Sequence, residues 1–278
     1  MTTTTNKTKS IVDYVDVNGS QVRFSMAEAR SPEGPPVLLI NGLGARLEMW
    51  QPLSSAISDR TLLMFDFPGI TGRAAHDLPL EMPGLARWLA RLLDVLNISV
   101  VDVIGYSWGG VLAQQFARDL SERVRALVLV STNFGFGAVS SPAFLPLLNL
   151  MPSDQGDDPW KLLTAALGGA TGSRDPIGAI VNALKPSTTP FQGYQRQCFS
   201  LAGWTSLNWL HELTAPTLVL AGDDDPFVPT SISQRLAQCI PQGQLELIRG
   251  GGHLLPTNQP ARVARSVEDF LGRINARG

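Results

Sequence analysis

The chain has 278 residues, of which 44% are hydrophobic and 17% are charged, and its formal net charge is −2. This balance excludes an intrinsically disordered protein. It predicts a globular protein, either one α/β domain with an insertion or two small domains. Because the sequence has no basic run, nothing in it favours nucleic acid or an anionic membrane surface as the main partner.

The remaining bulk features concern the cellular compartment. Cys198 and Cys239 are the only cysteines, so a disulfide framework is not implied and a reducing compartment is compatible. Residues 1–10 are polar and lack the apolar segment of a signal peptide. No run approaches the roughly 20 apolar residues of a membrane span. We therefore expect a cytoplasmic protein without a transmembrane segment.

Along most of the chain, strand-like runs that are apolar or alternate between apolar and polar residues are separated by segments with helical periodicity. Asn18-Gly19 joins the first two runs and is typical of a hairpin. The predicted strands are Ile11–Val17, Val22–Ala29, Val37–Ile40, Thr61–Phe65, Val101–Ile104, Val124–Val130, Pro216–Ala221 and Gln244–Ile248. The predicted helices are Trp50–Ile57, Pro83–Leu96, the run Val111–Ala117, Ile232–Cys239 and Ala261–Ile274. Such alternation predicts right-handed crossovers and a mostly parallel central sheet flanked by helices.

The alternation stops between residues 133 and 204, a segment we call the insertion. It is rich in Gly, Pro and Ala, has few charges and lacks a convincing strand. We interpret it as a helical lid inserted after the sixth strand, so that residues 1–132 and 205–278 form the core. The alternative is a set of structural helices with no gating role. An apolar lid lining is indicated by Phe134, Phe136, Phe144, Leu147, Leu148, Met151, Trp160 and Phe191.

A candidate nucleophile stands in Gly105-Tyr106-Ser107-Trp108-Gly109, between a predicted strand and a predicted helix. This is the context of a G-x-S-x-G nucleophile elbow, a turn too tight for side chains at the two glycines. The helix N-terminus that follows favours negative charge beside Ser107. The alternative is a glycine-flanked serine in an ordinary loop between a strand and a helix.

A serine nucleophile needs a base, and the chain has three histidines. His253 follows three glycines in the loop after the last strand, at the sheet edge where sites of α/β proteins gather. It also completes the chain order serine, acid, histidine. His211, on a short helix, suits a capping or packing role, whereas His76 could line the cleft.

The acid must orient the histidine from the loop after the strand Pro216–Ala221. Asp223, Asp224 and Asp225 all stand there, and composition alone does not choose among them. Mutual repulsion prevents all three from lying close to one histidine. We favour Asp225, because Pro226 after it makes a rigid corner.

Acyl transfer also needs donors for the oxyanion. The sequence places two backbone amides, those of Leu43 and Trp108, in suitable loops. Asn41 either braces its loop or merely turns the chain. Candidate substrate contacts are Asn41, Phe134, Trp160 and Trp204. We expect no metal and no cofactor, since the cluster at residues 168–172 lacks the strand and lysine of a phosphate-binding loop.

From about Val37 to its end, the chain resembles the α/β-hydrolase superfamily. Four segments, residues 39–45, 105–117, 203–211 and 216–226, look more closely like the intracellular medium-chain-length polyhydroxyalkanoate depolymerases. The resemblance implies a triad of Ser107, Asp225 and His253. Asn41-Gly42 replaces the usual His-Gly of the oxyanion loop, as in that family. The loop after Asp66 departs from the common pattern, and the insertion matches only in patches.

The sequence therefore favours a serine hydrolase of apolar aliphatic esters. The resemblance implies a medium-chain-length poly(3-hydroxyalkanoate) depolymerase, with small or polymeric esters as substrates and a polyester granule surface as a partner. A second hypothesis keeps the chemistry but changes the substrate, to that of a general carboxylesterase or lipase, or of a thioester or carbon–carbon bond hydrolase. A third hypothesis is a non-catalytic ligand-binding protein on a hydrolase scaffold. A polyester synthase would carry cysteine at position 107, and an epoxide or haloalkane hydrolase would carry aspartate.

Overall fold

The computed structural model describes residues 11–70, 79–135 and 191–276. Its strands form one eight-stranded sheet in the order β1-β2-β4-β3-β5-β6-β7-β8. The strands are β1 Ile11–Val17, β2 Ser20–Ala27, β3 Val37–Ile40, β4 Leu62–Phe65, β5 Val101–Tyr106, β6 Val124–Val130, β7 Thr217–Gly222 and β8 Gly243–Ile248. Strand β2 runs antiparallel to both β1 and β4, and the other pairs are parallel. The mostly parallel sheet is confirmed.

Helices cover both faces of this sheet. The described α-helices are α1 Gln51–Ala56, α2 Met82–Val95, α3 Trp108–Asp119, α4 Phe191–Ser200, α5 Thr230–Cys239, α6 Leu255–Asn258 and α7 Pro260–Asn275. Successive side chains of a strand point to opposite faces. In β3, Leu38 and Ile40 join the core cluster that includes α2 and α3, while Val37 and Leu39 join the cluster that includes α1 and α7. Because both faces are buried, the central strands are apolar throughout.

Most predicted boundaries lie within two residues of the observed ones, and one short turn was not predicted. The second strand ends at Ala27 instead of Ala29 and begins at Ser20, directly after the Asn18-Gly19 turn. The predicted helix Trp50–Ile57 corresponds to α1, and a 3₁₀ turn that was not predicted, Leu47–Trp50, precedes it. The amide of Leu47 donates a hydrogen bond of 2.6 Å to Oδ1 of Asp66. This distant carboxylate therefore fixes the first amide of the turn.

The two ends of the segment 133–204 lie side by side on the core. Gly135 and Thr205 form an isolated antiparallel bridge, and the amide of Ser206 donates to the carbonyl oxygen of Phe134 at 3.0 Å. Residues 136–190, including most of the predicted lid with Phe136, Phe144, Leu147, Leu148, Met151 and Trp160, lie outside the described residues. Of the insertion, the described helix is α4. Among the described helices, none is long and apolar enough to cross a membrane.

Candidate active site

Ser107 occupies a strained turn between β5 and α3. Its backbone angles are φ 52° and ψ −118°, which non-glycine residues rarely adopt. A Cβ at Gly105 would lie 2.6 Å from the carbonyl oxygen of Gly109, and a Cβ at Gly109 would overlap the carbonyl oxygen of Ile40. Both glycines are therefore required by close backbone approach, and the elbow geometry predicted from the sequence is present.

Two hydrogen bonds tie the strained turn to the end of β6. The Ser107 amide donates to the carbonyl oxygen of Val130 at 2.9 Å, and Oγ1 of Thr132 donates to the carbonyl oxygen of Ser107 at 2.7 Å. Thr132 is 2% exposed, and its side chain also lies against Gly110. Sequence reasoning did not single out Thr132, because its contact depends on the parallel pairing of β5 with β6.

His253 connects Ser107 with Asp225. Its Nε2 lies 3.0 Å from Oγ of Ser107, and its Nδ1 lies 2.9 Å from Oδ2 of Asp225. The side chain of His253 is 10% exposed and that of Asp225 is fully buried. The structure thus brings together the three residues predicted as a triad, in the geometry of a nucleophile, a base and an orienting acid.

The conformation of the acid loop distinguishes Asp225 from its two neighbours. Oδ1 of Asp225 accepts the amides of Phe227 at 2.8 Å and Val228 at 3.0 Å, which leaves Oδ2 directed at His253. Asp223 is exposed and accepts the amide of Gly250 at 2.6 Å instead, and Asp224 is also exposed. The corner at Pro226 therefore presents a single carboxylate to the histidine.

Two aromatic rings hold the imidazole of His253. The ring of Tyr106 lies 5.5 Å from it and that of Phe227 lies 5.2 Å away, centroid to centroid. Burial, with a contribution from the charge of Asp225, raises the pKa of the Tyr106 phenol well above its ordinary value. Tyr106 therefore stays neutral and acts here as an apolar wall beside the histidine.

The predicted oxyanion donors stand where β3 and β5 end. Trp108 is the first residue of α3, so its amide has no partner within the helix. Neither this amide nor that of Leu43 donates a hydrogen bond within the part of the chain that the structure describes. A Cβ at Gly109 would overlap the carbonyl oxygen of Ile40, so the loop after β3, which carries Leu43, approaches the start of α3, which carries Trp108. Both N–H groups are thus available at one edge of the sheet.

Asn41 braces its loop. Its Nδ2 donates to the carbonyl oxygens of Ala45 at 3.2 Å and Phe65 at 3.0 Å, and its Oδ1 accepts the indole N–H of Trp50. The side chain is fully buried. Of the two alternatives, bracing is therefore the observed one. Because these bonds occupy the amide, the predicted substrate contact of Asn41 has no support in this geometry.

Phe134 and Trp204 lie at the base of the insertion. Nε1 of Trp204 donates to Oε1 of Gln115 at 2.7 Å, and the Trp204 ring packs edge-on against Trp209. Gln115 is about 12 Å along the axis of α3 from Ser107 at the usual helical rise. Phe134 is 5% exposed and belongs to the core cluster beside α3. Their contact with substrate stays a prediction.

The other predicted positions lie elsewhere. Trp160 and His76 fall outside the described residues. His211 is exposed in the 3₁₀ turn Leu210–Glu212, and its capping or packing role stays a prediction. Within residues 11–70, 79–135 and 191–276, no three His, Cys, Asp or Glu side chains are placed to hold a metal ion.

A largely buried ion pair lies beside the 3₁₀ turn that follows the oxyanion loop. Nη1 of Arg23 lies 2.8 Å from Oδ2 of Asp66, and Arg23 also pairs with Glu48. Asp66 is 1% exposed, and burial raises its pKa despite the hydrogen bonds that it accepts. This pairing could not be predicted from the amino-acid sequence, because Arg23 lies on β2 and Asp66 follows β4.

Known proteins are similar to this chain in sequence. A sequence profile of the alpha/beta hydrolase family matches residues 37–266. A poly(3-hydroxyalkanoate) depolymerase from Ectopseudomonas oleovorans is 39% identical over 262 residues, which cover 92% of this chain and 91% of that protein. A protein from Variovorax paradoxus (strain S110) with the provisional name carbamate hydrolase RutD is 29% identical, over 88% of this chain and 95% of its own.

A solved structure shows the same fold. The enol-lactonase from Burkholderia xenovorans LB400 superposes with a TM-score of 0.77 at 22% identity, covering 94% of this chain and 100% of that chain. At this identity the likeness concerns the fold alone. The similarity to a poly(3-hydroxyalkanoate) depolymerase rests on the sequence of the relative from Ectopseudomonas oleovorans.

Proposed function

Since the chain belongs to the α/β-hydrolase family, we propose that this hydrolase is a serine esterase whose substrate is medium-chain-length poly(3-hydroxyalkanoate). The observation that carries the proposal is the hydrogen-bonded series Asp225, His253 and Ser107, with contacts of 2.9 and 3.0 Å. It supports nucleophilic attack by Ser107, because a hydroxyl next to an oriented base can lose its proton as it attacks.

The mechanism proceeds through an acyl-enzyme. Nε2 of His253 takes the Ser107 proton while Oγ bonds to the ester carbonyl carbon, and the carbonyl oxygen becomes an oxyanion. The amides of Leu43 and Trp108 donate hydrogen bonds to that oxyanion. The tetrahedral intermediate collapses, the carbon–oxygen bond to the alkoxide breaks, and His253 returns the proton to the alkoxide. Water then releases the acyl group by the same steps.

Asp225 stabilises the imidazolium formed in each half-reaction. Its buried Oδ2 accepts from Nδ1 of His253, which also fixes the tautomer with a free Nε2 lone pair. The packing of the inclined Tyr106 and Phe227 rings against the imidazole restricts its rotation and keeps Nε2 directed at Ser107. We therefore assign Asp225 an electrostatic and orienting role in the proposed reaction.

The polymer substrate is supported by the relative that is 39% identical and named a poly(3-hydroxyalkanoate) depolymerase. A second candidate is carbamate hydrolysis, favoured by the relative with the provisional name carbamate hydrolase. A carbamate carbonyl would meet the same nucleophile and donors, so the triad does not separate these two substrates. A general carboxylesterase or lipase, a thioester hydrolase and a carbon–carbon bond hydrolase share the chemistry as well.

The test is a substrate panel with purified protein. Granules of poly(3-hydroxyoctanoate), p-nitrophenyl octanoate, an octanoyl thioester and an alkyl carbamate are incubated separately, and the acid or amine released is quantified by chromatography. We expect release of 3-hydroxyoctanoate from granules. Turnover of the soluble ester without release from granules would remove the polymer substrate, and turnover of the carbamate alone would support the second candidate.

Matched serine variants test the nucleophile. Ser107→Ala should abolish turnover and leave the thermal midpoint nearly unchanged, whereas Ser55→Ala, on the exposed surface of α1, should retain full activity. A fluorophosphonate probe should label Ser107. A wild-type protein that neither reacts with the probe nor turns over any substrate would support the non-catalytic binding protein. The cytoplasmic location and the granule surface as a partner stay predictions.

A further inference from the structure

Helix α4 contacts both loops that carry the proposed oxyanion donors. The indole Nε1 of Trp108 donates to the backbone carbonyl oxygen of Gln197 at 2.9 Å and to Oγ of Ser200 at 3.1 Å. On the other side, Oε1 of Gln197 accepts the amide of Gly44 at 2.7 Å. Gly44 directly follows Leu43. Gln197 therefore accepts hydrogen bonds from the residue after one proposed donor, Leu43, and from the side chain of the other, Trp108.

The contact to Gly44 fixes the orientation of the Gln197 amide. A backbone N–H can only donate, so the group facing Gly44 must be the carbonyl oxygen Oε1. The Nε2 group is buried and has no hydrogen-bond partner among the described residues. Gln197 itself is 2% exposed. Folded proteins leave few buried donors unpaired. In Gln197 the side-chain Nε2 stays unpaired among the described residues while Oε1 accepts from the oxyanion loop.

The seat of α4 on the core is defined by backbone contact. A Cβ at Gly193 would overlap the carbonyl group of Gly69 and would also lie 2.9 Å from the amide nitrogen of Ile70. These neighbours are backbone atoms, which cannot move aside as a flexible side chain can. The helix therefore rests at a set distance from the core, and Gln197 reaches Gly44 from a fixed base.

The loop that Gln197 contacts needs such support. Gly42 and Gly44 flank Leu43, and Gly44 has φ +67°, in the left-handed region open to glycine. Two glycines allow a loop many backbone conformations, and the direction of the Leu43 N–H differs among them. A hydrogen bond to the Gly44 amide fixes the peptide plane next to Leu43 and so restricts the direction of that donor.

We infer that Gln197 is a positioning residue of the oxyanion hole, which holds the Leu43 amide through Gly44 and meets the Trp108 side through its own carbonyl oxygen. This inference rests on the proposed serine esterase activity. Gln197 touches neither the reacting carbonyl nor Ser107 and acts only through the loop. The last helix of the insertion thereby takes part in transition-state stabilisation by the core.

The test removes the acceptor and keeps the size. Gln197→Leu should lower kcat by about 10- to 100-fold, somewhat less than the roughly 10² to 10³ lost when an oxyanion donor is deleted. KM for p-nitrophenyl octanoate should change less than about threefold, because the interaction strengthens only in the transition state. Thr217→Val, which removes a buried polar group at the start of β7, should leave kcat unchanged and is the matched control.

A second readout separates positioning from simple loss of structure. Octyl boronic acid forms a tetrahedral adduct on Ser107 and places an oxygen in the oxyanion hole. Its inhibition constant for Gln197→Leu should rise by the same factor by which kcat/KM falls, with full stoichiometry in a fluorophosphonate titration. Gln197→Met, which is close in length and lacks a strong acceptor, should behave in the same way and serves if the leucine variant folds poorly.

Only variants that fold can overturn the inference. An unchanged kcat/KM in Gln197→Leu and Gln197→Met would overturn it, and so would a loss explained wholly by a lower titrated fraction of active sites. Failure of the proposed function gives a different result, namely full activity of Ser107→Ala. With Ser107→Ala inactive and the Gln197 variants fully active, only the positioning role of Gln197 is lost.

Discussion

Oγ1 of Thr132 donates a hydrogen bond of 2.7 Å to the carbonyl oxygen of Ser107, and this bond joins the strained elbow to the end of the neighbouring strand. The same carbonyl oxygen also accepts the amide of Gly110 at 2.9 Å. A residue with φ 52° keeps that conformation only when its surroundings fix it. Thr132 supplies one of the constraints from outside the turn.

Thr132→Val should therefore affect both stability and activity. Valine matches the shape of threonine but cannot donate, so the free energy of unfolding should fall by about 1 kcal/mol. The elbow should relax, and kcat should fall several-fold. Urea denaturation and initial rates with p-nitrophenyl octanoate measure the two effects.

The matched control is Thr217→Val at the start of β7. Thr217 is equally buried and donates through Oγ1 to the carbonyl oxygen of Ala215 at 2.9 Å, away from the elbow. We expect a similar loss of stability and no loss of kcat. Equal activity losses in the two variants would contradict a specific role of Thr132.

Substitutions in the acid loop should separate its three aspartates. Asp225→Asn should lower kcat by about 10³ to 10⁴, because the amide no longer stabilises the imidazolium of His253. Asp223→Asn should retain most activity, since this carboxylate is exposed and accepts the amide of Gly250 instead of the histidine. Asp224→Asn should also retain it. Steady-state rates of the three variants provide the measurement, and a large loss in Asp223→Asn alone would reassign the acid.

Burial of Asp102 on β5 should give the stability a distinct pH dependence. Nε of Arg125 donates to Oδ1 of Asp102 at 2.8 Å, yet burial dominates and raises the pKa of this carboxyl above its ordinary value of 3.8. The folded protein then holds the proton at a higher pH than the unfolded chain does. The free energy of unfolding should consequently fall as pH rises from about 4 through the raised pKa.

Asp102→Asn removes this titration. Urea denaturation between pH 4 and pH 7 should show a smaller decrease of stability with pH in the variant than in the wild-type protein. The slope is the informative quantity, because the variant also loses the ion pair with Arg125 at every pH. Parallel pH profiles of the two proteins would show that the carboxyl keeps its ordinary pKa in the fold.

Two glycine-to-alanine changes should act in opposite directions. Gly109→Ala places a Cβ onto the carbonyl oxygen of Ile40 and should lower the free energy of unfolding by more than about 2 kcal/mol. Gly272→Ala in α7 meets nothing within 4 Å and should raise it by roughly 0.5 to 1 kcal/mol, as alanine favours the helix. Thermal and urea unfolding give the comparison, and a stable, active Gly109→Ala would refute the tight elbow.

The elbow and the two loops that complete the triad could be predicted because their signals are local. Gly105 and Gly109 mark a turn that tolerates no Cβ, and the glycines before His253 mark a loop at the end of a strand. The choice of Asp225 among three aspartates depended on a proline corner, and the amides of Phe227 and Val228 now explain it.

Contacts between distant elements could not be predicted in the same way. Thr132 and Gln197 are ordinary polar residues in the sequence, and their roles follow only from the pairing of β5 with β6 and from the seat of α4. The 3₁₀ turn at Leu47–Trp50 was missed for a similar reason, since its first amide is bound by Asp66 on another loop. Periodicity reports which face of an element is apolar, but it does not report which polar group will meet that element in the folded chain.

The bridge between Gly135 and Thr205 has a practical consequence for protein engineering. A segment whose two ends meet can be exchanged as a cassette between homologous enzymes without altering the connections of the core. The bonds of α4 to Trp108 and Gly44 set the boundary of such a graft, because a cut at Thr205 would also remove Gln197. Chimaeras that change substrate range should therefore replace residues 136–190 and retain the host's own α4.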